Sequence, residues 1–146
     1  MNYLLDTNII ILYSRDSDIS KRIEEEYRLF DESNTLAVSV VTLGEIDAFI
    51  KKRQKIDKLL NQLAKVKLNS KSIIERYGTI DAYSQGKLKD NPSNFTARNM
   101  GKNDMWIAAT ASVSNLTLIT TDKDFSHLKD EFIQLEFVDV EMYKQR

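Results

Sequence analysis

Residues 3–13, YLLDTNIIILY, decide how this chain folds. Three apolar positions end on the small polar trio Asp6, Thr7 and Asn8, and a second apolar run starts at once. A short buried strand, a polar turn and a helix fit that order. Each member of the trio has a side-chain oxygen able to cap the helix. The same strand–turn–helix unit returns downstream. Residues 36–41 (LAVSVV) are nearly all apolar and rich in valine, which suits a strand covered on both faces of a parallel sheet. Thr42 then opens a helix running to about residue 53, with Glu45 at the capping-box spacing. Residues 116–119 (LTLI) form another short buried strand, ended by Thr120, Thr121 and Asp122, and residues 137–140 add an edge strand.

Between these strands the apolar residues recur at helical spacing. Ile19, Ile23, Tyr27 and Phe30 make one stripe, with Glu24, Glu25 and Glu26 mainly on the wet side. Ile56, Leu59, Leu60, Leu63 and Val66 mark a second helix, and Ile73, Tyr77 and Ile80 a third. Residues 103–113 (NDMWIAATASV) are apolar on almost every side after Asp104, as in a central buried helix. Residues 86–102 are polar and hold Pro92, the only proline, which predicts a long loop of the kind that often carries function. Alternating strands and helices predict a three-layer α/β/α domain with a mostly parallel central sheet and right-handed crossovers. The 146 residues fit one domain, 1–146, without internal repeats.

Composition narrows the function. The chain has no cysteine, so disulfides and thiolate metal sites are excluded. No apolar run approaches the roughly 20 residues that span a bilayer, and the start MNY lacks the basic opening of a secretory leader. A cytoplasmic protein is expected. Net charge is −1, which is not the footprint of a protein that coats nucleic acid. A nucleic-acid partner then needs a local site, or a bound cation that reverses the local sign.

Four acids provide such a site. Asp6 and Asp122 directly follow strands, Glu45 lies in the first turn of the helix after LAVSVV, and Asp104 opens the buried helix. Ligands of open parallel sheets bind beyond the carboxyl ends of the strands. Carboxylates gathered there repel one another and resist burial, and a hard cation relieves both costs. All-oxygen donors select Mg²⁺ or Mn²⁺, as one or two ions; zinc is a poor match for a chain with one His and no Cys. The matching reaction is hydrolysis of a phosphodiester by in-line attack of water.

The blocks LLDTNIII (4–11), VSVVTLGEI (38–46), NDMWIAATA (103–111) and LITTDKDF (118–125) resemble the four signature blocks of PIN domains. In order and spacing they are most similar to VapC-type toxins of bacterial toxin–antitoxin pairs. The resemblance implies that Asp6, Glu45, Asp104 and Asp122 are the catalytic, metal-coordinating acids, with Asn8, Ser39 and Thr120 supporting them. It also implies cleavage of single-stranded or structured RNA, a homodimer and a small inhibitory antitoxin. The fourth block departs from the family, where Asn with a longer spacer is common. Asp122 is preferred there because it follows the threonine pair, and Asp124 competes, although Phe125 beside it suggests a helix cap. Arg98 and Lys102 flank Asp104 and could meet RNA phosphates or an antitoxin carboxylate.

Plainer roles stand beside these. Asp6 and Asp104 suit helix caps, Glu45 the second half of a capping box with Thr42, and Asp122 a turn. Trp106 is expected in the core, His127 on the surface, and the basic run 51–55 at a solvated helix end. Two other families fail on sequence: a dehalogenase-type phosphatase needs a second Asp where Asn8 stands, and a receiver domain needs an acidic pair where only Asp6 is found. A catalytically silent PIN fold serving as a binding or scaffold module is the remaining alternative.

Overall fold

The computed structural model describes residues 1–49, 54–88 and 100–144. Strand β1 (Asn2–Leu5) enters the middle of the sheet and gives way, after Asp6 alone, to α1 (Thr7–Ser14) and then α2 (Asp18–Tyr27). Strand β2 (Thr35–Ser39) runs into α3 (Val40–Phe49), followed by α4 (Gln54–Leu60) and the short β3 (Ala64–Val66). Helices α5 (Lys71–Ser84) and α6 (Lys102–Val113) lead to β4 (Thr117–Thr120). A 3-10 turn (Lys123–Leu128), β5 (Gln134–Phe137) and α7 (Val140–Lys144) complete the order.

The sheet order is β3-β2-β1-β4-β5, and every neighbouring pair is parallel. Successive residues of a strand point to opposite faces. Leu4, Ala37 and Leu118 accordingly join one core with Ile80 of α5 and Ile107 of α6. Their neighbours Leu5, Val38 and Ile119 join a second core with Ile9 and Ile10 of α1, Ile23 of α2 and Ile56 of α4. Both faces of the central strands are therefore buried, which is why their sequences read as unbroken apolar runs. The three-layer α/β/α expectation holds, with a sheet that is wholly parallel.

Several local expectations change. Leu63 and Val66 do not extend a helix, because α4 stops at Leu60 and the chain straightens into β3, with Ala64 opposite Ala37. A three-residue strand offers too few positions to separate a period of two from one of 3.6. The last strand lies at Gln134–Phe137, three residues earlier than expected, and α7 follows it. Thr42 does not open α3; the helix starts at Val40, and Ser39 Oγ accepts from the backbone N–H of Val41 at 3.1 Å. Trp106 packs on Tyr77, ring centroids 4.1 Å apart, as a core residue would. His127 is not surface decoration: its ring is half-buried, 2.8 Å from the hydroxyl of buried Ser84 and parallel to Tyr83. The basic residues 51–53, Arg98 and Pro92 lie outside the described residues. No helix among the described residues is long and apolar enough to cross a membrane.

Candidate active site

In the order β3-β2-β1-β4-β5 the chain builds outward from β1 to one side, then returns to β1 and builds to the other. The reversal falls between β1 and β4, and in open parallel sheets the ligand crevice lies at such a point, beyond the carboxyl ends of the strands. Asp6 and Asp122 stand on its two walls, each within two residues of a strand end.

Asp6 is 3% exposed, and both of its carboxyl oxygens are engaged. Oδ1 accepts from the Thr7 backbone N–H at 2.8 Å, and Asp6 is the N-cap of α1. Oδ2 accepts from the Thr120 hydroxyl at 2.7 Å. That hydroxyl in turn accepts from the Asp122 backbone N–H at 3.0 Å, tying the loop after β4 to the loop after β1. Asn8 adds a second tie, its Oδ1 accepting from Thr121 N–H at 3.2 Å. Burial raises the Asp6 pKa, the bonds from Thr120 and Thr7 pull it down, and the charges of Glu45 and Asp122 push it up again.

Glu45 reaches the same crevice from α3. Its Oε1 accepts from the Thr7 hydroxyl at 2.8 Å. Thr42, one turn earlier on α3, points to the same hydroxyl at 3.0 Å and forms no capping box with Glu45. Ser39 touches none of the acids through a hydrogen bond; it caps the helix that carries Glu45.

Asp104 is the third residue of α6, whose N-cap is Gly101, so it is not the cap. Its carboxyl is half-buried, and among the described residues no hydrogen bond holds it. Burial, followed by the charges of Asp6, Asp122, Glu45 and Asp124 in that order, pushes its pKa up to about 7. Asp104 thus stands within electrostatic reach of all the other candidate acids. Asp122 caps the 3-10 turn by accepting from the Asp124 backbone N–H at 2.9 Å, and Asp124 is exposed in that turn. The capping role expected of Asp124 therefore belongs to Asp122. Lys102 is the first residue of α6 and is exposed.

The acids act on one another electrostatically, yet among the described residues no three acidic or histidine side chains stand close enough together to hold a metal ion as they are placed. Local hydrogen bonds explain the spread: Asp6, Glu45 and Asp122 each accept from a group of the loop they stand on or face. Every carboxylate oxygen has more than one lone pair, so these bonds leave capacity for an ion. The donor chemistry fits a hard divalent cation.

Thr7 and Thr42 were not singled out at the site by sequence reasoning. Two signals were present: Thr7 abuts Asp6, and Thr42 lies three residues before Glu45, on the same face of a helix.

A parallel α/β domain with acids from four separate segments around its switch point defines a recognisable class. Residues 3–131 match the PIN domain, and the chain belongs to the PIN-domain family. Among solved structures it is similar to a chain of VapBC2 from Rickettsia felis, a complex solved with a DNA fragment from its promoter. The identity is 27%, the TM-score 0.73, and 95% of this chain and 100% of that one are covered. It is also similar to VapBC-1 from nontypeable Haemophilus influenzae, at 29% identity and a TM-score of 0.66, covering 94% and 98%. A toxin–antitoxin complex from Klebsiella pneumoniae matches at 26% identity and a TM-score of 0.57, covering 85% and 90%. No curated protein sequence matches the chain.

Proposed function

We propose that this PIN domain is a metal-dependent endoribonuclease, the toxin of a toxin–antitoxin pair. One observation carries the reading: Asp6, Glu45 and Asp122, far apart in sequence, are joined through the Thr7 and Thr120 hydrogen bonds at the sheet's switch point, with Asp104 facing them. A protein with no use for a cation gains nothing from that arrangement, because each added carboxylate raises the cost of the others.

Asp6, Glu45, Asp104 and Asp122 would hold one or two Mg²⁺ or Mn²⁺ ions. Asp122 is preferred to Asp124, since its charge acts on both Asp6 and Asp104, and on Asp104 ahead of that of Asp124. The chemistry such ions supply when bound is activation of water for in-line attack and neutralisation of phosphoryl charge. Thr120 and Asn8 hold the two walls of the crevice at a set separation, and Ser39 anchors the start of α3. Lys102 would offer its ammonium to a phosphate beside Asp104; Arg98, its partner in this role by sequence, lies outside the described residues.

The substrate would be single-stranded or structured RNA and the inhibitor a small antitoxin. A homodimer in the cytoplasm completes the proposal. The likeness to VapBC and toxin–antitoxin complexes supports the partner, and the lack of cysteine suits a reducing compartment. The test is cleavage of single-stranded RNA with Mn²⁺ or Mg²⁺, abolished by EDTA and in Asp6→Asn. Intact RNA under every such condition would leave the scaffold alternative in its place.

A further inference from the structure

Thr7 touches two of the acids at once. Its backbone N–H donates to Asp6 Oδ1 and its hydroxyl to Glu45 Oε1, both at 2.8 Å. A threonine hydroxyl has one proton. With that proton directed at the carboxylate, the 3.0 Å contact to Thr42 Oγ1 must be a bond that Thr7 accepts and Thr42 donates. The order of donation runs from Thr42 to Thr7 to Glu45.

Neither helix needs these hydroxyls at its end. Helix α1 is capped by Asp6 through the Thr7 backbone, and α3 by Ser39. Thr42 is wholly buried, where an unspent hydroxyl is costly, so its place is explained by the bond it gives to Thr7. Both residues are β-branched and stiff about χ1, so the pair holds a direction as well as a charge. Each bond in such a chain polarises the next.

We propose that the Thr42–Thr7 hydroxyl relay is a positioning device that keeps the Glu45 carboxylate turned toward Asp6, and so sets the affinity of the crevice for a divalent cation. The inference rests on the metal-dependent reading above. Groups that orient metal ligands typically change affinity by about 10–100-fold when removed.

The test is calorimetric titration of Mn²⁺ into the EDTA-stripped full-length protein, paired with the melting temperature of each metal-free variant. Thr7→Val is expected to weaken Mn²⁺ binding by about 10–100-fold, and Thr7→Ser, which keeps the hydroxyl, to recover most of that loss. Thr42→Val, which removes a hydroxyl bonded to Thr7 and not to a carboxylate, is expected to weaken binding as well. A lowered metal-free melting temperature with Mn²⁺ affinity unchanged in Thr7→Val would show a merely structural role and overturn the relay. Should Thr7→Val fail to fold, Thr42→Val decides alone, with unchanged affinity overturning the proposal. The two readings fail differently. Wild-type protein that takes up no Mn²⁺ sinks the metal site and the relay with it, whereas tight wild-type binding matched by Thr7→Val sinks the relay only.

Discussion

Asp6 and Asp104 face the same crevice under opposite conditions. Asp6 is deeply buried, yet each oxygen has a donor, and the bonds from Thr7 and Thr120 work against the upward push of burial. Asp104 is only half-buried, but no hydrogen bond from the described residues holds it, and every influence on it is upward. Burial alone does not say which acid resents its charge. The donors around each carboxylate decide it. Burial pushes both carboxyls up, Asp6 against donors that favour its charge and Asp104 with no such donor among the described residues.

Loss of either carboxylate that Thr7 touches should abolish cleavage. Asp6→Asn and Glu45→Gln are each expected to leave below about 1% of the wild-type rate on RNA, since even groups outside the first ring of metal contacts cost about 10–100-fold. Glu45→Gln should still fold, its stability within about 1 kcal/mol of wild type by urea titration. A full rate in that variant would remove Glu45 from the site.

A cation should stabilise the folded protein by binding it and not the unfolded chain. At 100 times its Kd, Mn²⁺ is expected to add about 2.7 kcal/mol. A melting temperature that ignores Mn²⁺ would deny the site a function.

The contrast between Asp6 and Asp104 sharpens when the metal-free protein is titrated. Asp104 holds its proton more firmly folded, with a pKa of about 7, than at the ordinary 3.8. Across that interval the folded state binds more protons than the unfolded one, so stability falls as pH rises and levels off above about 7. Asp104→Asn removes the penalty. After allowance for water at a half-buried carboxyl, it should stabilise the metal-free protein at pH 8 by about 1–2 kcal/mol, with little effect at pH 4. The Asp6 carboxyl is also pushed up by burial, but Asp6→Asn should bring a smaller gain, because the same change weakens the bonds from Thr7 and Thr120. Equal gains in both variants would erase the distinction.

The smallest effect is expected from Lys102→Ala: a few-fold rise in KM for RNA at low salt that fades as ionic strength rises, because an exposed lysine acts through a screened charge. An effect that survived high salt would call for a contact other than a solvated ammonium.

Most of the scaffold was legible because both faces of β1, β2 and β4 are covered, leaving unbroken apolar runs that end on polar turns. Edges were harder to place. β3 has only three residues and one β-branched side chain, Val66, so its signal merged with the preceding helix. At the carboxyl end the strand was displaced and α7 went unseen, since five residues hold little more than one helical turn. The four acids stood out from their positions after strands and at helix starts. Thr7 and Thr42 did not, because a hydroxyl beside an acid looks the same whether it caps a helix or orients a neighbour.

The sequence by itself settled the alternation of elements, the two-sided burial of the central strands and which acids follow which strands, because these depend on local periodicity and on the chemistry of each side chain. Only the tertiary structure decided the strand order, and with it the switch point at which residues more than a hundred positions apart become neighbours. It also decided which carboxylate is held by donors and which stands against its surroundings. Donors come to a carboxyl group from other parts of the chain, and no pattern within a single segment records them.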